Sequence, residues 1–540
     1  MQGQKLGNLC KSMSFHTTLS RDSNQALGLG QYAIDFLAGR LGSGPSQGVL
    51  NRAKLFHADA FLCGASALAL KTNAPTILRA EALEFLDEAG ASVFGSPARV
   101  KAEKAILANS SAVREWDSNG TNFGFNPTLG HTAGEFGHND FYPVVLAACQ
   151  QRGLDGATAV RAMVLLDEIR GRLAEVFSLK TYKLDHVVHG AIGSAATYGA
   201  LMGANAEQIE SAIGMFVAHY IPWRAIRAGK QLSDSKGASA AISTEAAILC
   251  VKRAMHGFIG PKDIFRNPES VFRFFEPTTA GADRWSEHGD SPFDLVLAHS
   301  GDDFAVMGMH FKLGLYEHQS AGALQGIIDL VAAHPTLLES GGSRIARIDI
   351  VAYEPAFGII GNPMKKDPKT RQSADHSMAY IVATLLRKAI EHGPLPQGGG
   401  SNDAVWKCLM LDPYDYQVAE SAIFNPVTRN LMQKIEFRHG GAEYDSRYPD
   451  GIPTSLVITD TDGNVYDSGF VMYPAGHARN TTANLHDILD HKFQLLGRIS
   501  LPDGGDVSGL LSKLDRLDVL TSAELASLYD FRIADRGGYE

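Results

Sequence analysis

TSLVITDTDGNVYDSGFVMYP, residues 454–474, decides the fold class, because it is the clearest β-hairpin in a chain that otherwise reads as helical. Two arms rich in β-branched and aromatic residues flank Asp462-Gly463, a pair that accepts positive φ in a tight turn. Working outward, strand signals recur only nearby. SRIARIDIVAYE (343–354) alternates β-branched residues at Ile348 and Ile350, and QKIEFRHGG (433–441) reads as a further strand. Between them, HSMAYIVATLLRKAI (376–390) and NPVTRNLMQKI (425–435) read as helices, while GPLPQGGGSND (393–403) reads as a loop.

Upstream the period changes. NQALGLGQYAIDFLAGRL (24–41), GVLNRAKLFHADAFLCGASALAL (48–70), GATAVRAMVLLDEIRGRLAEVF (156–177) and ASAAISTEAAILCVKRAM (238–255) place apolar residues three and four apart, the mark of amphipathic helices. Asn205 with Gln208, and Thr521 with Glu524, form capping-box patterns at helix starts. The stretch VVHGAIGSAATYGALMGANA (187–206) is long enough to span a bilayer. Its His189, Ser194, Thr197 and several Gly instead make it a small-residue helix buried in protein. The expected fold is mainly α with an α+β lid. A flexible tail covers 1–24, an all-α helical domain 25–311, an α+β lid 312–484, and C-terminal helices 485–540 that return to the helical domain.

The 540 residues are 45% hydrophobic and 20% charged, an ordinary globular balance. A net charge of −10 argues against a nucleic-acid surface. Five cysteines, none in a CxxC, suggest neither a disulfide framework nor a cysteine-based metal site. The N-terminus lacks a continuous apolar signal core. A cytoplasmic protein is expected, with the mitochondrial matrix as the alternative.

Chemistry concentrates in four segments. WDSNGTNFGFNPTLGHTAGEFGH (116–138) interrupts two helix-like stretches with Gly, Asn and His. Asp117 and Thr121 are four apart and share a face if a helical turn persists there. Asp117, His131, Glu135 and His138 raise a metal site as one reading, although H-x6-H is not a standard ligand spacing; a polar surface loop is another. KLDHVVHG (183–190) sets His186 and His189 at i, i+3, where a core histidine satisfied by backbone is the common case. IPWRAIRAGKQLSDSKGASAA (221–241) gathers Arg224, Arg227, Lys230 and Lys236. MHFKLGLYEHQSAGA (309–323) puts Lys312 and His318 at the junction of the helical and α+β regions, where clefts form. Histidines for proton transfer beside cations for carboxylates suit proton abstraction next to a carboxylate and loss of a β-leaving group. No nucleotide fingerprint stands out, and no cofactor is implied.

These segments resemble the MmgE/PrpD family. DPKTRQSADHSMAYIVATLL (367–386) is similar to its "TR…ADHS…Y.VA" signature, and YPAGHARN (473–480) to its "YP.GH.RR" tail. LDH (184–186), WRAIR (223–227) and SKGASAA (235–241) also match, so the resemblance covers roughly residues 25–535. It implies a cofactor-free, metal-free homodimer with the active site between the helical domain and the lid. It implies catalytic roles for Asp117, Thr121, His138, His186, Lys236, Lys312 and His318, and substrate-binding roles for Arg224, Arg227 and Lys230, the last also competing with Lys236 for one alignment. Within the family it points to a hydro-lyase acting on 2-methylcitrate or a related tricarboxylate in propionate metabolism. His186 or His138 then handles the substrate proton, and Asp117 orients a histidine or helps protonate the leaving hydroxyl. Decarboxylation of cis-aconitate, epimerisation of a dicarboxylate and silent carboxylate binding are the alternatives. Four departures surround the expected site. Gly120 stands where relatives often carry a second acid, His138 lacks a following Pro, the loop from Thr121 to His138 is long, and Lys312-x5-His318 lacks the usual Pro.

Overall fold

The computed structural model describes residues 15–227, 231–274, 289–396 and 399–539. The helical half is built from helices that include Gln25–Leu37, Gln47–Ala69, Ala102–Glu115, Gly156–Val176, Val187–Met202, Ala206–His219 and Asp234–Met255. Side-chain caps start several of them as the sequence predicts. Asn24 accepts from Leu27 N, and the Asn205/Gln208 and Thr521/Glu524 capping boxes are both formed. Asp234–Met255 packs on both Ala102–Glu115 and Val187–Met202. Val187–Met202 is buried at every position except Ala200 and Met202, as expected of a helix sheathed in protein. Its small residues permit this: a Cβ on Gly190 would meet the Phe141 ring at 1.9 Å. Among the described residues no single helix is long and apolar enough to cross a membrane.

The α+β part holds a four-stranded sheet ordered Ile435–His439, Ile345–Ala352, Thr454–Asp460, Val465–Val471. The hairpin of the last two is antiparallel, with Gly463 at φ +85° in its turn. Thr454–Asp460 alternates buried and half-buried positions, the period-2 pattern of a strand with one covered face. Ala321–Ala333 covers that face of the hairpin. Ile435–His439 instead pairs parallel to Ile345–Ala352. A parallel neighbour requires a crossover, and Met378–His392 and Pro426–Gln433 lie within that connection. The chain then returns: Leu485–Ser500 packs against Gln47–Ala69 of the helical half.

One expectation is corrected at the N-terminus. His16–Leu19, assigned to a flexible tail, forms a strand antiparallel to Leu295–Ala298. Residues 1–14 of that tail lie outside the described residues. The backbone N–H and C=O groups of 16–19 find a ladder there that sequence periodicity does not reveal.

Candidate active site

Asp117 is the hub. The helix Ala102–Glu115 stops just before it, because Trp116 turns to extended geometry and its buried indole donates to Ser66 Oγ at 3.0 Å. No helical turn runs from Asp117 to Thr121, so the condition for a shared helix face is not met. Thr121 begins a short strand paired in register with His138, and its backbone exchanges hydrogen bonds with His310 (3.0 and 2.7 Å). Thr121 is placed by this ladder, and Asp117 by the bond from Tyr316 N to its carbonyl (2.9 Å), rather than by a shared helix face.

Four cationic or imidazole groups converge on the Asp117 carboxylate. Lys312 Nζ donates to Oδ1. Arg114, Lys236 and His376 Nε2 approach Oδ2 at 3.2, 3.4 and 3.4 Å. Lys236 also donates to Asp375 Oδ1 at 3.0 Å, and Asp375 holds His376 Nδ1 at 2.7 Å and Arg371 at 3.3 Å. Arg371 further binds Glu115. Asp117, Asp375, Arg114, Lys236, Lys312 and Arg371 are all buried. Burial opposes ionisation of Asp117, yet Arg114, Lys312 and Lys236 together hold it well below the usual carboxylate range. Burial pushes both lysines down, and their carboxylate partners counter it.

The histidines split by what their nitrogens find. His189 Nε2 donates to the carbonyl of Phe177 (2.9 Å), as an ordinary core histidine does. Among the described residues His186, one helical turn earlier, has no hydrogen-bond partner on either nitrogen, and neither does His318; His138 Nδ1 is also unpartnered there. All three rings are buried. Buried polar atoms are nearly always paired, so three partly orphaned imidazoles around one charged hub mark a place built for a polar ligand. Burial lowers all three well below the ordinary histidine range, with Arg114 and Lys312 adding to the effect at His138, Arg227 and Arg224 at His186, and Lys312 and His477 at His318. They are neutral near pH 7.

Of the expected carboxylate binders, Arg227 is committed to Asp185, which sits directly before His186 (Arg227 NH2 to Oδ1, 3.1 Å). Burial opposes ionisation of that carboxyl, but Arg227 holds it down to a strongly acidic value. Arg224 is different: its backbone N–H is anchored to Lys183 O at 2.8 Å and its NH1 has no partner among the described residues. Lys230 lies outside the described residues.

The four-residue metal reading is corrected. His131 bonds Glu175 at 3.1 Å, and Glu135 accepts the backbone N–H groups of Phe136 and Lys180 at 2.8 and 2.7 Å. Neither converges with Asp117 and His138. Asp117, Asp375 and His376 do bring ligand atoms within 4.8 Å of one another. Lys236, Lys312 and Arg114 already neutralise those carboxylates, so this donor set favours an organic anion over a divalent cation.

Two departures acquire reasons. A Cβ on Gly120 would lie 2.4 Å from the Phe56 ring, which stacks on Phe311 at 3.9 Å, so no side chain fits there. Lys312 and His318 reach the site across an irregular segment whose Leu313 N–H is capped by Tyr316 Oη at 2.8 Å. The residues not assigned from sequence are Arg114, Glu317, Asp375 and His376. The last two stand in the ADHS stretch, whose signal was a polar run directly ahead of an apolar helix. Half-buried Glu317 precedes His318; burial, reinforced by Asp117, pushes its carboxyl up to about 8.

Residues 35–280 match the MmgE/PrpD N-terminal domain. The chain is 24% identical over 493 residues to the probable 2-methylcitrate dehydratase of Saccharomyces cerevisiae, covering 86% of this chain and 85% of the relative. It is 26% identical over 398 residues to the mitochondrial 2-methylcitrate dehydratase of Yarrowia lipolytica (69% and 67%). It is 23% identical over 336 residues to the 2-methylcitrate dehydratase of Escherichia coli (62% of each).

Proposed function

From the match of residues 35–280 to the MmgE/PrpD N-terminal domain, we propose that the protein is a lyase, a hydro-lyase that dehydrates 2-methylcitrate or a closely related tricarboxylate to the corresponding alkene. The observation that carries this reading is the set of buried imidazoles His138, His186 and His318, which keep nitrogens unpartnered among the described residues, together with the Asp117–Lys236–Lys312 cluster.

The chemistry follows from the protonation states. A neutral imidazole, His138 or His186, takes the proton from the carbon next to a substrate carboxylate. Binding of a substrate with several negative charges makes that imidazole a stronger base, because the adjacent anion stabilises the imidazolium. The electron pair of the broken C–H bond forms the C=C bond as the C–O bond of the neighbouring carbon breaks. The departing hydroxyl leaves as water when it receives a proton. Asp117, held ionised by its cations, is the wrong group to donate it, and serves to orient Lys236 and Lys312. Glu317, still protonated at neutral pH, supplies the proton. Arg224, with a spare donor, takes a substrate carboxylate, and the remaining N–H donors of Lys312 help to hold a second.

The test is ultraviolet absorbance of a conjugated alkene, with and without EDTA, across 2-methylcitrate, citrate, isocitrate and cis-aconitate. Alkene appearing from 2-methylcitrate and insensitive to chelator is the expected result. No alkene from any hydroxy acid would overturn the proposal. The homodimer and the propionate pathway belong to the same proposal, and light scattering of the purified chain tests the first.

A further inference from the structure

We infer that Lys492, on the C-terminal helix Leu485–Ser500, is a positioning residue that locks the Asp117 and Lys312 segments into one register from beneath the site. Its ammonium is 2.5 Å from Asp59 Oδ1, 2.7 Å from the Ser118 carbonyl and 2.8 Å from the Lys312 carbonyl. An ammonium has three N–H donors, and all three are spent here. Lys492 is 1% exposed, and Asp59 is fully buried on Gln47–Ala69. The pair reaches neither His138, His186 nor His318 by any hydrogen bond, so its action passes through backbone.

The two carbonyls it grips are the telling feature. Ser118 directly follows Asp117, and Lys312 is the residue whose side chain donates to Asp117 Oδ1. Lys492 therefore holds together the main chains of the two residues whose side chains meet above it. Other bonds continue the same seam: Ser118 Oγ to Gly314 O at 2.8 Å, Tyr316 N to Asp117 O at 2.9 Å, and the double exchange between Thr121 and His310. Neither segment is a long regular element with its own hydrogen-bond ladder. A buried charge-assisted donor to two irregular carbonyls supplies the rigidity that such a ladder provides elsewhere. The chain's return to the helical half thus has a chemical purpose, since a residue of Leu485–Ser500 completes the support of the segments that carry Asp117 and Lys312.

The inference rests on the dehydratase proposal for its kinetic readout alone, and hydrogen exchange reads it independently. Lys492→Met keeps the aliphatic stem but strands the Asp59 carboxylate, so the Asp59→Asn/Lys492→Met pair is made beside it to keep a foldable variant. Peptides covering 117–121 and 310–316 are expected to exchange at least tenfold faster in the double variant, with the Val187–Met202 helix unchanged. Turnover is expected to fall about 10²-fold with KM within threefold, the signature of displaced catalytic groups rather than lost binding. Unchanged exchange in both segments overturns the inference, as does turnover per folded molecule within twofold of the parent. If the parent itself forms no alkene, the dehydratase proposal fails, and the exchange experiment still decides the role of Lys492.

Discussion

His138 and His186 meet edge to face, with ring centroids 5.3 Å apart and an interplanar angle of 66°. One comes from a two-residue strand paired with Thr121, the other from the cap of the small-residue helix. Both are buried and lowered well below the ordinary histidine range. Replacing the base of the pair by Asn is expected to cut turnover 10²–10⁴-fold with the fold intact by circular dichroism. In the parent, kcat/KM is expected to stay level from about pH 7 down to 6.5, below the Glu317 limb, and to fall only below that. Near-full turnover of both His138→Asn and His186→Asn would remove them from the chemistry.

Arg224 is expected to act in binding. Its partner-free NH1 contrasts with Arg227, which Asp185 occupies. Arg224→Met should raise KM roughly 10–100-fold, the worth of one charge-assisted hydrogen bond, while kcat changes little. Arg227→Met should act differently. It frees the Asp185 carboxylate beside His186, so kcat falls along with kcat/KM. Steady-state kinetics of both variants separate the two roles.

Glu317 sets the alkaline side. Its carboxyl sits at about 8 in the folded protein because burial, then Asp117, disfavour the charged form. The acid form is present below that pH and lost above it, so kcat/KM should decline through about pH 8. Glu317→Gln removes the transferable proton, and is expected to lower kcat by 10²-fold or more and to abolish that limb. A variant keeping both the parent rate and the parent profile assigns the proton elsewhere.

His57 makes a stability prediction away from the site. Among the described residues both its nitrogens are unpartnered, in the core near Phe61 and Tyr142, and burial lowers its pKa to about 3. The unfolded chain titrates near 6.5, so between these values the unfolded state binds the extra proton. The protein therefore has its full His57 contribution above pH 6.5 and loses it as pH falls toward 3, by at most about 1.4 kcal/mol per pH unit. His57→Leu should be neutral or stabilising at pH 7 and should flatten the decline in urea-unfolding free energy between pH 6.5 and 4.5 by up to one proton. An unaltered slope would show that His57 does not contribute.

What could be read directly from the chain was local. The hairpin at 454–471, the strands at 345–352 and 435–439, the buried small-residue helix and both capping boxes follow from periodicity and turn chemistry acting over a few residues. The resemblance named Asp117, Thr121, His138, His186, Lys236, Lys312 and His318 as a group; the fold sets Lys236 and Lys312 on Asp117 and His138 beside His186. The shared face that a helical turn would have given Asp117 and Thr121 does not form, because Trp116 is anchored across the core to Ser66, a contact that spacing does not encode. For the same reason Arg224 and Arg227 look alike in sequence and differ in structure. Only packing decided which histidine keeps an empty nitrogen, which arginine is spent on Asp185, how far burial moves Glu317, and that Lys492 returns from the last helices to brace the site. Propensity is a property of neighbours along the chain. Desolvation and charge pairing are properties of neighbours in space, and only the folded molecule supplies those.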